Sequence, residues 1–157
     1  MINLFKTNPE KASAKIRINN SLIGVLFTIF GIIWAVNPSK LNFWLTLQFV
    51  LAMPLLYISN ITYTKIAYRK EAHLWDFFGW ITGNTAMALV LNIFGILIYI
   101  LGFISLFYFY FGLIWGLLFI YTILNTRQAK KPIIGVFKFL YFVLIQIIFG
   151  LILIRFY

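Results

Sequence analysis

Three residues whose side chains can bind metal ions or transfer protons lie close together, at Glu71, His73 and Asp76. Carboxylates and imidazole are common metal ligands and general acids or bases. The spacings of two and three residues would let two of these side chains share one ligand. Arg69 and Lys70 directly precede the group, which favours a solvated loop whose charges pair with one another. We therefore expect a solvated loop and a protein without enzymatic activity, metal or cofactor. The alternative is a metal or catalytic site formed by these three residues.

Four uncharged amide side chains lie well inside the predicted spans, away from their ends. An amide that faces lipid without a hydrogen-bond partner is unfavourable, so each needs a partner on another helix or a polar cavity. Asn84 and Asn92 lie two turns apart on one helix face, and they are the best pair for lining a permeation path or a binding cavity. Interhelical hydrogen bonds that stabilise the fold are the other interpretation, and both stay open. The four residues are Gln48, Asn84, Asn92 and Gln146.

The predicted spans lack the ionisable groups that membrane chemistry usually needs. No Asp, Glu, Arg or His is expected in the core of any span, and the chain contains no cysteine. Proton-coupled transporters use carboxylates inside the membrane, and thiolate metal sites use cysteine. The lack of these residue types in the predicted spans therefore argues against proton-coupled transport, intramembrane proteolysis and cysteine-based redox chemistry.

The composition identifies lipid as the solvent of this chain. Hydrophobic residues make up 63% of the 157 residues and charged residues only 10%, whereas soluble domains have about 25% charged residues. About 20 apolar residues in a helix cross a hydrocarbon core of about 30 Å. We therefore predict an all-α, polytopic transmembrane helical bundle that forms a single membrane domain over residues 1–157. Its predicted parts are a cytoplasmic basic arm over 1–20 and about five spans, at about 21–37, 41–62, 77–100, 104–124 and 134–155.

Two boundaries depend on weaker signals. The uncharged stretch 77–126 is too long for one span, so we predict a hairpin that turns near Gly102 to Ser105, although no Asn, Asp or Pro marks the turn. At the other end of the chain, Asn8 followed by Pro9 is typical of a helix N-terminus. A short helix from Pro9 to Arg17, lying on the membrane surface, is expected there.

The basic residues predict the orientation. Five spans place the N-terminus, the second loop and the fourth loop on one side of the membrane, and these segments hold eleven of the 13 Lys and Arg residues. Basic loops are retained in the cytoplasm, so we predict a cytoplasmic N-terminus, an outer C-terminus and a multi-pass protein of the inner cell membrane. The net charge of +10 follows from this asymmetry. It predicts attraction to anionic lipid headgroups at the inner face and no binding of nucleic acid.

Small and polar residues recur along one stripe of each predicted helix, at about 100° per residue. Membrane helices pack closely through such residues, so we expect every stripe to face the inside of the bundle. Two GxxxG motifs, Gly79 with Gly83 and Gly112 with Gly116, permit either packing within the chain or a dimer face. The stripes in helix order are Asn20, Gly24, Thr28, Gly31 and Ala35; Gln48, Ala52, Leu55 and Ser59; Asn84, Ala88, Asn92 and Gly95; Ser105, Gly112 and Gly116; and Gly135, Gln146 and Gly150.

Two classes of function remain compatible with these observations. The first is a non-enzymatic scaffold or partner subunit, which binds membrane proteins through its helix faces or its basic loops. The second is a channel or pore, or a membrane effector, in which several copies surround a path lined by Gln48, Asn84 and Asn92. Both predict a homo-oligomer or a membrane protein complex, and a membrane enzyme would depend on the Glu71, His73 and Asp76 loop alone.

Overall fold

The computed structural model describes residues 9–40, 43–68, 73–129 and 132–152, and in these ranges it contains helices and no strand. Five long helices follow one another, and each is long and apolar enough to cross a membrane. The predicted all-α fold with five transmembrane helices is confirmed. The helices are α1 (Pro9–Val36), α2 (Phe43–Tyr68), α3 (His73–Ile100), α4 (Ile104–Ala129) and α5 (Pro132–Gln146); a 3₁₀ turn, Pro38–Lys40, follows α1, and α5 continues as a π-helix, Ile147–Ile152.

Helix α1 differs from the prediction of a separate surface helix. It begins at Pro9, where proline suits the first helical position, and it continues for 28 residues to Val36. The predicted end at Arg17 is therefore wrong, because no proline or glycine interrupts the helix between Pro9 and Leu22. Residues 1–8 of the predicted arm lie outside the described residues.

The hairpin turn between α3 and α4 lies at residues 101–103. The amide of Gly102 donates to the carbonyl of Tyr99 at 2.9 Å, and the amide of Phe103 donates to the carbonyl of Ile98 at 3.2 Å. These two bonds form a Schellman motif, which requires a left-handed residue at its centre. Gly102 has a φ of +87°, which glycine adopts without a steric penalty. The glycine alone therefore ends α3 without help from Asn, Asp or Pro.

The chain divides into two compact units, Met1–Val90 and Leu91–Tyr157, with the boundary inside α3. In the first unit, Leu26 of α1 and Leu45 and Phe49 of α2 are buried, and the Phe49 ring meets Phe30 edge to face at 5.3 Å. In the second unit, Phe107 and Phe111 of α4 are the largest fully buried side chains. Each unit thus has its own buried core, and the prediction of a single membrane domain stays a prediction.

Candidate functional site

Of the three residues predicted to form a solvated loop, Glu71, His73 and Asp76, the last lies in a buried position of a helix. Glu71 lies outside the described residues, while His73 begins α3 and Asp76 lies in its first turn. Asp76 is only 4% exposed, and it is close enough to Tyr63 of α2 for the two to interact electrostatically. The expectation of a solvated position is wrong for Asp76, because α3 begins early enough to place its carboxylate at a helix N-terminus, which favours negative charge. Among the described residues, no three His, Cys, Asp or Glu side chains could hold a metal together.

Polar side chains join three helices in the first unit. Asn19 of α1 donates from Nδ2 to Oγ of Ser59 in α2 at 3.1 Å, and Ser59 donates to the carbonyl oxygen of Gly79 in α3 at 3.3 Å. One turn away, Lys15 Nζ donates to the Tyr63 hydroxyl at 3.0 Å and lies 4.4 Å from the centre of its ring. Ser59 therefore links α1, α2 and α3 through a single hydroxyl.

Beside the contact between Asn19 and Ser59, two amide side chains form an exposed hydrogen bond between α1 and α2. Nδ2 of Asn60 donates to Oδ1 of Asn20 at 2.7 Å. Sequence reasoning missed Asn19, Asn60, Lys15 and Tyr63 as contact residues. The adjacent polar residues Asn19-Asn20, just before the first apolar stretch, and Ser59-Asn60, near the end of the second, are the signal that could have found two of these contacts.

Two of the predicted amides in the first unit lie in different environments. Gln48 of α2 is 0% exposed. Asn84 of α3 is partly buried, and its Nδ2 donates to the carbonyl oxygen of Trp80 at 2.7 Å, one turn earlier in the same helix. The Nδ2 donor of Asn84 is thus satisfied within its own helix.

The Gly79 and Gly83 motif packs within the chain. A Cβ atom on Gly79 would lie 2.9 Å from Cγ2 of Thr62, and one on Gly83 would lie 2.8 Å from Oγ of Ser59. Real Cβ atoms do not approach other atoms so closely, so these glycines let α3 approach α2. Of the two interpretations of this motif, packing within the chain describes the contact observed.

The Gly112 and Gly116 motif lies in a different environment. Both glycines are exposed on α4, and no described atom lies within 4 Å of a Cβ placed on either. Gly24 and Gly31 of α1 are likewise exposed and have no such neighbour. The expectation that small residues face inward on every helix is therefore wrong for α1 and α4.

Aromatic residues occupy the buried face of α4. The Phe111 ring lies between two glycines, because a Cβ on Gly95 of α3 would be 2.6 Å from Cε2 of Phe111 and one on Gly150 of the π-helix 3.1 Å from its Cζ. Phe107 meets Phe111 edge to face at 5.0 Å. The small residues of α3 and of the π-helix therefore receive large side chains of α4, which explains why the glycines of α4 itself face outward.

The other two predicted amides approach the same aromatic side chains in the second unit. Asn92 and Gln146 are each 0% exposed. Trp115 Nε1 donates to Oε1 of Gln146 at 2.7 Å, while a Cβ on Gly150 would lie 2.8 Å from Oδ1 of Asn92. Among the described residues, both polar atoms of Asn92 and Nε2 of Gln146 lack a hydrogen-bond partner. Each such buried group costs about 1–3 kcal/mol, so this site is energetically unfavourable as it stands.

No protein-family model matches this chain, and no curated protein or solved structure is significantly similar to it. Its function must therefore be argued from its own residues. The described residues offer two kinds of feature: buried polar side chains, which are amides and hydroxyls in the first unit and amides in the second, and small residues exposed on α1 and α4.

Proposed function

We propose that this chain is a non-enzymatic scaffold or partner subunit that binds other transmembrane helices within the bilayer. The observation that carries the proposal is the small-residue face of α1. All of its members are exposed, and their spacings alternate between three and four residues. The face consists of Ser21, Gly24, Thr28, Gly31 and Ala35.

This face has the properties that membrane helices use for association. Small residues let two backbones approach closely, and packing and interhelical contacts drive association in lipid, where apolar burial from water does not. Alternating spacings of three and four residues keep one seam toward a partner helix. The hydroxyl of Thr28 donates to the carbonyl of Gly24 at 3.0 Å, so this polar group is already satisfied and does not hinder a partner. The exposed Gly112 and Gly116 offer a second face of the same kind on α4.

The burial of the amides favours this role over an oligomeric pore. Several copies that surround a path must turn their polar residues outward, toward one another. Gln48, Asn92 and Gln146 are instead 0% exposed within one chain, and the Asn84 amide bonds within its own helix. None of these amides is therefore exposed on the surface of the chain, where a pore between several copies would need it.

We further propose that the protein lies in the inner cell membrane with its N-terminus in the cytoplasm. The described basic residues at the N-terminal end of α1 and the C-terminal end of α2, including Lys11, Arg17 and Lys65, would then lie at the cytoplasmic headgroups. Lys65 lies 4.0 Å from the centre of the Trp75 ring. Lysine and tryptophan are both typical of the membrane interface.

The test compares three forms of the full chain, purified from native membranes in mild detergent. Gly24→Leu/Gly31→Leu fills the α1 face, and the chain itself has room for both side chains because no described atom lies near them. Val25→Leu is the matched control, since it also places leucine on the exposed side of α1. We expect wild type and control to run above the mass of one chain and the double variant to run at it. An unchanged mass for the double variant would exclude the α1 face as the contact.

A further inference from the structure

The amide of Asn92 is the least satisfied polar group described in the second unit. Neither Oδ1 nor Nδ2 has a hydrogen-bond partner among the described residues, and neither atom touches solvent. Gln146 has one satisfied atom, Oε1, and one buried donor without a partner, Nε2. An acceptor on Asn92 and a donor on Gln146 are therefore both unused in one buried region.

The two amides are connected by a short series of contacts through Gly150, Phe111 and Trp115. Gly150 follows Gln146 by about one turn of the same helix and lies against Oδ1 of Asn92. Gly150 also lies against Phe111, whose ring centre is 6.2 Å from that of Trp115, the partner of Gln146. Asn92 thus faces the side of the helix that carries Gln146.

The backbone changes its winding between the two contacts. The α-helix ends at Gln146, and the π-helix begins at the next residue and contains Gly150. A π-helix is underwound relative to an α-helix, is rarely longer than one turn, and is frequent at functional sites. Rewinding this stretch would rotate Gly150 and all later residues about the helix axis while Gln146 stays bonded to Trp115.

We propose that the second unit exchanges between two packings of its last helix, with the π-helix as the element that changes. In the packing described, Gly150 lies against Oδ1 of Asn92, and the amides of Asn92 and Gln146 do not meet. In the other packing the stretch rewinds and Gly150 leaves Asn92, so the Asn92 side chain turns into the vacated space and its Oδ1 accepts from Nε2 of Gln146, which stays on Trp115 through Oε1. Buried groups without partners disfavour the first packing, while the tight contact of Gly150 with Phe111 and Asn92 favours it. The proposed exchange requires these two effects to be similar in size, so that both packings are populated. This inference does not depend on the scaffold role.

Two distances measured by electron paramagnetic resonance in nanodiscs test this exchange. The chain has no cysteine, so spin labels attach only where cysteines are introduced. A pair at Leu113 and Ile152 reports on the helix after the change in winding, and a pair at Leu113 and Leu144 reports on the helix before it; all three residues are exposed. We expect two distances for the first pair and one for the second.

Two substitutions should shift the populations in opposite directions. Asn92→Leu removes the atoms that lack partners and also removes the acceptor of the alternative bond, so it should leave only the distance of the described packing. Gly150→Ala adds a Cβ that would lie 2.8 Å from Oδ1 of Asn92, so it should favour the other distance. Asn84→Leu, whose amide bonds within its own helix, is the control and should leave the populations as in wild type.

Three results would overturn the proposal. One is a single distance between Leu113 and Ile152 in the wild-type chain. Another is the persistence of both distances in Asn92→Leu, and the third is the same shift for Asn92→Leu and Gly150→Ala. If either variant fails to fold, the wild-type distances and the remaining variant still decide the question.

Discussion

Trp115 Nε1 donates a hydrogen bond of 2.7 Å to Oε1 of Gln146, and this contact joins α4 to α5 across 31 residues of sequence. Both groups are polar atoms on helices that cross a membrane, where no water replaces a lost partner. The Trp115 ring centre lies 6.2 Å from that of Phe111, so the buried amide of Gln146 meets the aromatic side chains of α4.

Replacing Trp115 by Phe should destabilise the protein. The substitution keeps an aromatic ring but removes the donor, which leaves the buried Oε1 of Gln146 without its partner. The expected loss is about 1–3 kcal/mol in the free energy of unfolding, measured by denaturation in mixed micelles. Trp34→Phe, at an exposed position of α1, is the control and should change the stability little. Equal stability for both variants would argue against the structural role of the Trp115 bond.

Glycines that receive a side chain should respond differently to alanine from glycines that face outward. Gly95→Ala places a Cβ 2.6 Å from Phe111, whose ring is also confined by Gly150. Overpacking of this kind costs about 1–3 kcal/mol. Gly112→Ala meets no described atom within 4 Å and should be neutral or slightly stabilising, because alanine favours helix more than glycine does. Unfolding of both variants in the same micelles checks this order, and the reverse order would contradict the packing of Phe111.

Ser59→Ala should weaken the first unit. The substitution removes the acceptor of Asn19 and the donor to the Gly79 carbonyl in one step. Interhelical hydrogen bonds in membranes contribute about 0.6–2 kcal/mol each, so a loss of this order is expected in the unfolding free energy. Thr64→Val is the control, since the Thr64 hydroxyl bonds only to the carbonyl of Asn60 in its own helix in the described contacts. A Ser59→Ala protein as stable as the control would show that the three-helix contact adds nothing.

The predicted orientation can be read from cysteine labelling in intact cells. Single cysteines at Ser39 and Phe103, in the turns after α1 and α3, should react with a membrane-impermeant maleimide because both positions are exposed and are predicted to lie outside. A cysteine at Tyr68, the exposed end of α2, should react only after the cells are opened. The reverse pattern would invert the topology.

The course of the chain was largely predictable from its sequence. Charged residues interrupt the apolar stretches near the ends of the helices, and Gly102 marks the hairpin turn because only its left-handed conformation completes the cap of α3. The first helix was wrongly ended at Arg17 because its polar first turns resemble a separate surface segment, although nothing in them breaks a helix.

The direction in which each helix faces was much less predictable. Small residues form a stripe on both α3 and α4, but Gly95 faces inward and Gly112 outward. The difference depends on the side chains of the neighbouring helices. Gly95 of α3 packs against Phe111, and Phe111 itself belongs to α4, so the buried face of α4 carries that aromatic ring. A periodic pattern on one helix contains no information on the residue that will oppose it.

The burial of Asp76 could not be predicted for a related reason. The charged residues Arg69, Lys70 and Glu71 shortly precede it, which is typical of a loop, whereas in the fold Asp76 interacts electrostatically with Tyr63 of α2. The sequence predicts that the amides need partners, but the identity of a partner, such as Trp115 for Gln146, depends on a contact between two helices that no pattern on one helix reveals.

The most direct test of the proposed role pairs two measurements on the purified protein, reconstituted without any other protein. One is its mass in nanodiscs, and the other is ion flux through liposomes that contain it. A scaffold or partner subunit should leave the liposomes sealed, and any self-association should be lost in Gly24→Leu/Gly31→Leu. Flux through wild-type liposomes that falls when Asn84 and Asn92 are replaced by Leu would contradict the proposal and establish a pore.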